Sequence, residues 1–158
     1  MADAAETGDG LVRSNDKLCS SMAERGLHLF DVANTPFEPA RRRPTSTGTE
    51  EEHRKQSAGV EHKWLIFPEP DEDRPPVVII KFPPGYRFPC HWHSEGEFVV
   101  VLKGSMTIGD QKVGPGGMAW TDARTIYGAE SAGPEGVEFL LFRRAFATTT
   151  VVEGEPGD

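Results

Sequence analysis

Between Gly85 and Gly104 the chain reads GYRFPCHWHSEGEFVVVLKG, and the His-x-His within it restricts the fold more than any other feature. Side chains on an extended strand alternate between faces, so His91 and His93 point one way and Trp92 the other. Glu97 falls on the histidines' parity across the short Ser94-Glu95-Gly96 break. Two imidazoles and a carboxylate on one face can hold a divalent ion and leave open positions for water, oxygen or a chelating substrate, as in non-haem iron sites. Glu95 is a rival carboxylate, but it lies in the break between strands, where a solvent-facing role is the simpler reading. His62 is a further candidate ligand whose strand parity the sequence leaves open. Cys90 takes the opposite parity and reads as a buried thiol.

The surroundings of this run are β-rich. From Gly59 onward short apolar segments (VEHKWLIF, PPVVIIKF, EFVVVLKG, SMTIG, MAWT, VEFLLFRRAF) are separated by proline and glycine, with no helical period among them. The spacing predicts an all-β sandwich or barrel. Continuous apolar runs at Val77 to Ile80 and Val99 to Leu102 predict strands buried on both faces. Pro83-Pro84-Gly85, Gly114-Pro115-Gly116-Gly117 and Ala132-Gly133-Pro134-Glu135-Gly136 read as turns. Pro89 stiffens the approach to His91.

Gly85, His91, His93, Glu97 and Gly104 together resemble the first signature of the cupin superfamily: glycine, five residues, His-x-His, three residues, glutamate, six residues, glycine. The resemblance implies a small double-stranded β-helix, a jelly-roll barrel, with His91, His93 and Glu97 as metal ligands facing its interior. It implies iron first among the divalent metals, with manganese, nickel and zinc as alternatives. The second signature, aligned from Gly116, places Asp122, Arg124, Tyr127 and Ser131 where the family has proline, glycine, histidine and asparagine. Tyr127 thus stands at the fourth ligand position. A phenol is a weak ligand until deprotonated, so Tyr127 is expected to donate a hydrogen bond to a bound water or substrate and to act in catalysis. Cupins include dioxygenases, isomerases, cyclases and lyases. The absent histidine leaves room for oxygen beside a substrate, so the expectation is a non-haem metal oxygenase acting on a carbonyl, enol or phenolic molecule. An isomerase, cyclase or lyase, or a non-catalytic ligand-binding cupin, is the alternative.

The 158 residues fit one domain and carry a formal net charge of −8, which offers no positive field for nucleic acid or anionic membrane. Arg41-Arg42-Arg43 is a lone basic cluster between prolines and reads as a solvated turn. Residues 1–58 are expected to form a polar, partly disordered arm with a short strand at 27–32 and an exposed connection over 38–57. The barrel is expected over 59–147 and a tail over 148–158. The acidic start MADAAETGDG lacks the apolar core of a signal peptide, and two cysteines, Cys19 and Cys90, make no disulfide framework. A cytoplasmic protein is the expectation, with no span of a bilayer and, by resemblance, a homodimer. His28 and His53 are expected outside the barrel. Trp92 is expected to pack rather than meet substrate, and Arg124 to form a surface ion pair rather than bind a substrate carboxylate. Phe88, Phe98, Trp120 and Phe139 are pocket or core candidates.

Overall fold

The computed structural model describes residues 29–41, 49–69 and 72–152. The expectations for Cys19, His28 and both chain ends lie outside them, and of the proposed 27–32 strand only 29–32 is described, with a single bridge position at Phe30. The elements are β1 (Glu38–Pro39), α1 (Glu50–Gln56), β2 (Glu61–Ile66), β3 (Val77–Phe82), β4 (Arg87–Phe88), β5 (His91–His93), β6 (Glu97–Ile108), β7 (Gln111–Val113), β8 (Met118–Thr121), β9 (Glu130–Arg143) and β10 (Thr149–Val151). One eight-stranded antiparallel sheet runs β1-β2-β3-β9-β6-β7, with β4 on β9 and β8 on β6, and β5 pairs with β10 in a second sheet. This is the all-β class that the strand pattern predicts, in the jelly-roll form that the resemblance implies.

Alternation builds the core. Val78, Ile80 and Phe82 of β3, Val99 and Val101 of β6, and Val137, Phe139 and Leu141 of β9 all face inward and form one cluster with Met106 and Ala132. The β3 run is buried on both faces, with Ile79 also buried. The β6 run is not: its outward residue Leu102 is 41% exposed.

The Ala132–Gly136 segment is not the expected turn. It lies inside β9, whose ladder with β6 shifts register between Gly104 and Met106. At that bend Gly104 has φ +69°, and a Cβ on it would stand 2.1 Å from the Gly136 carbonyl oxygen. Only glycine allows both the backbone angle and the approach, so the motif's last glycine is the corner of the long ladder. The other two turns form as read: Tyr86 N–H donates to Pro83 O at 3.1 Å, and Gly117 N–H to Gly114 O at 2.9 Å.

The described parts of the 38–57 stretch, 38–41 and 49–57, are more structured than a connection. β1 pairs with β2, and α1 begins at Thr49, whose hydroxyl accepts from Glu52 N–H while the Glu52 carboxylate accepts from Thr49 N–H. Thr-x-x-Glu is a capping box, and three glutamates in the first turn complement the helix dipole. α1 buries no residue, but Tyr86 Oη donates to the Gln56 carbonyl and ties it over the barrel mouth.

Candidate functional site

The second sheet delivers the histidines. β5 is three residues long, and its ends His91 and His93 are 2% and 7% exposed while Trp92 between them faces the other way and is half-buried. Glu97 opens β6 at 3% exposure. The three side chains expected to converge do so: the imidazole centroids are 4.8 Å apart, and His93 Nε2 lies 3.6 Å from Glu97 Oε2.

Hydrogen bonds settle the tautomers. His91 Nδ1 lies 2.8 Å from the Pro89 carbonyl, which can only accept, so the proton is on Nδ1 and the Nε2 lone pair faces the site. His93 Nε2 lies 3.0 Å from Arg143 Nη2, which can only donate, so His93 also turns an Nε2 lone pair inward. Its Nδ1–H points to Thr149 Oγ1 at 3.0 Å. Burial pushes the His91 pKa down, outweighing the Pro89 carbonyl and the Glu97 charge, and keeps the ring neutral.

Arg143, at the end of β9, pairs in register with Glu97 and is 3% exposed. Its Nε and Nη2 both donate to Glu97 Oε2, at 2.9 and 2.5 Å. Burial alone would raise the Glu97 pKa, but the Arg143 charge, His93 and the hydrogen bonds from Tyr127 and Arg143 hold it below the usual carboxylate value. Tyr127 bridges to β5 through paired backbone bonds with His91, and its hydroxyl donates to Glu97 Oε1 while lying 3.0 Å from His91 Nε2. One phenolic proton therefore serves two acceptors. Burial, with the charges of Glu130 and Glu97, raises the Tyr127 pKa far above the ordinary phenol value, so Tyr127 stays protonated.

The site opens into a cavity of about 350 Å³. Phe88, Phe139 and Leu141 supply apolar wall, Glu130 a buried carboxyl, and Glu52 and His53 of α1 part of the lining toward the mouth. Burial, reinforced by Glu97, pushes the Glu130 pKa up to about 8.

The donor set is right in kind for a divalent ion, and the arrangement is not. Among the described residues no group of three or more His, Cys, Asp or Glu side chains is placed to hold a metal. The reason is Arg143: its guanidinium already takes the His93 Nε2 lone pair and Glu97 Oε2. A cation bound there would sit against a fixed positive charge, a repulsion of about 4 kcal/mol for unit charges at 4 Å and an intermediate dielectric.

A family model, that of the ChrR cupin-like domain, matches residues 45–147. The chain belongs to the ChrR cupin-like family. No curated protein matches this cupin. Among solved structures it is similar to a candidate dioxygenase from Nostoc punctiforme, with 16% identity and TM-score 0.63, covering 82% of this chain and 43% of that one. It is also similar to the polyketide cyclase RemF from Streptomyces resistomycificus, with 19% identity, TM-score 0.57, and 82% and 89% coverage. A third is a sugar phosphate isomerase of the cupin superfamily from Silicibacter pomeroyi, with 17% identity, TM-score 0.60, and 78% and 81% coverage. At these identities the likeness is one of fold, and the cupin spans less than half of the Nostoc chain.

Other candidates fall outside the site. Arg124 is exposed and adopts φ +65° where the family pattern has glycine, with its N–H on the His93 carbonyl at 2.8 Å. Trp120 is 62% exposed, its indole donating to Asp122. Cys90 is a buried free thiol. His62 lines the cavity, as does His53 from α1, outside the barrel strands as expected, whereas Glu95 does not. Arg143 and Glu130 were not anticipated: Arg143 follows the inward parity of Val137, Phe139 and Leu141, whereas Glu130 lies before the bend of β9 on the opposite parity, so no single alternation along the strand brings them together.

Proposed function

We propose that this cupin is an enzyme that moves protons on a small carbonyl- or enol-bearing molecule held in the barrel cavity, an isomerase-, cyclase- or lyase-type reaction. The observation that carries the proposal is the set of inward Nε2 lone pairs served by Tyr127 and Arg143. His91, neutral and backed by the Pro89 carbonyl, accepts the proton from substrate carbon at Nε2. Tyr127 turns its hydroxyl from Glu97 Oε1 to the substrate oxygen, stabilising the charge that develops there. Returning the proton from His91 to another atom of the substrate completes an isomerisation without an oxidant. Arg143 keeps Glu97 ionised and His93 in its tautomer.

A second reading follows from the convergence of His91, His93 and Glu97: these three would hold an iron or other divalent ion, and the reaction would be an oxygenation. His91 Nδ1–H on a backbone carbonyl is the outer bond a ligating histidine usually makes. This reading requires Arg143 to leave its present partners. Deuterium exchange into a panel of dicarbonyl and phenolic compounds, followed by NMR in EDTA-treated protein alongside oxygen uptake, separates the two. Exchange that persists in EDTA and falls about 10²-fold or more in His91→Ala supports proton transfer. Oxygen uptake restored only by added metal supports the oxygenase.

We also propose that two copies pair through the outward face of β6, β8 and β9, where Met118, Trp120, Leu102 and Phe142 are 65%, 62%, 41% and 40% exposed. No helix among the described residues is long and apolar enough to cross a membrane. A cytoplasmic location is proposed on the same footing as the homodimer.

A further inference from the structure

Two polar groups in the cavity wall have no use in the chemistry above. Arg143 spends Nε and Nη2 on Glu97 and His93, while Nη1 is buried with no hydrogen-bond partner among the described residues. An unpaired guanidinium nitrogen in a closed site is costly, because a buried charged donor loses its water without gaining a partner. Glu130 is 7% exposed and lines the same cavity, yet among the described residues no hydrogen bond or ion pair holds its carboxyl, and Arg143 turns its paired edge to Glu97 instead. Its register partners are Phe88 of β4 and Ile108 of β6, which offer only main-chain bonds.

We infer that these two groups form a subsite for a carboxylate, so that the substrate is a small organic acid. The inference rests on the cavity being the active site and narrows what enters it. Arg143 Nη1 has two N–H donors, and a carboxylate offers the planar acceptor pair that suits a guanidinium. Glu130, protonated at neutral pH, donates to the carboxylate rather than repelling it. Charge balance agrees: with Glu130 protonated, the lining carboxylates Glu97 and Glu52 are matched by Arg143 and Arg41, so the cavity holds no net negative charge to exclude an anion. Phe88, Phe139 and Tyr86 line the rest, and about 350 Å³ accommodates an aromatic or short aliphatic acid.

The probe is benzoate against its neutral isostere benzamide, titrated calorimetrically into the full chain in EDTA. Benzoate is expected to bind about tenfold or more tightly than benzamide. Arg143→Lys, which keeps the charge beside Glu97 but removes the fork, is expected to reduce that preference to less than about threefold. Equal affinities for the wild-type protein, or no saturable binding of either compound, overturn the inference even if the variant does not fold. Benzoate binding that disappears in EDTA overturns it as well, because a metal would then be the receptor. Deuterium exchange is read separately, so an enzyme that moves protons without preferring acids defeats this inference alone.

Discussion

Glu130 and Glu97 place opposite demands on pH. Glu130 is held near 8 mainly by burial, so between its unfolded value near 4.5 and about 8 the native state binds the extra proton, and stability falls as pH rises. Glu97 is shifted down: the stability it contributes is present above about 4.5 and lost as pH falls through its lower folded value. Glu130→Gln is therefore expected to leave stability near pH 5 almost unchanged and to increase it at pH 8 to 9 by up to a few kcal/mol, with a higher melting temperature there. Thermal melts across that range check it. An equal effect at both ends would mean that Glu130 is not held protonated. Arg143→Ala leaves a buried carboxylate unpaired and is expected to lose about 3–5 kcal/mol, much of it recovered in Arg143→Met combined with Glu97→Gln; urea denaturation measures both. Neither Arg143 nor Glu130 was legible in the sequence. Arg143 lies 46 residues from Glu97 and meets it only through the β6–β9 register. The histidines were legible because their two-residue spacing is a local property of one strand.

The long strands β6 and β9 depend on a corner that only glycine can turn. Gly104→Ala puts a Cβ against the Gly136 carbonyl and forces a positive φ on alanine, with an expected loss of more than about 2 kcal/mol by urea denaturation. A neutral outcome would show that the bend relaxes. The glycines of Ala132–Gly136 read as a turn because proline and glycine most often mark one; here they let a strand bend without leaving its partner. α1 was missed for a related reason: seven polar residues carry no apolar period, and the signal lies in Thr49 and Glu52 instead. Thr49→Ala removes the cap and is expected to weaken α1 by about 1 kcal/mol. Because α1 lines the cavity, faster amide exchange over Glu50–Gln56 would accompany it.

At the scale of the molecule, the barrel encloses the buried His91, His93 and Glu97 while its outer sheet face exposes Met118, Trp120, Leu102 and Phe142. Trp120→Glu is expected to yield a monomer by light scattering without loss of fold, and a monomeric wild-type protein would end the pairing proposal. The all-β class was readable from a run of short strands, which depends on local alternation, and the jelly roll from the resemblance that five spaced residues carry. The interior chemistry was not, because it is decided by which residue the far end of β9 brings beside Glu97. If the proton-transfer proposal holds, the Arg143 guanidinium rather than a metal is the cation beside Glu97. Elemental analysis of protein purified without chelator tests that most directly: the account predicts far less than one divalent ion per chain. One equivalent of iron, manganese, nickel or zinc, lost in His91→Ala, would contradict it.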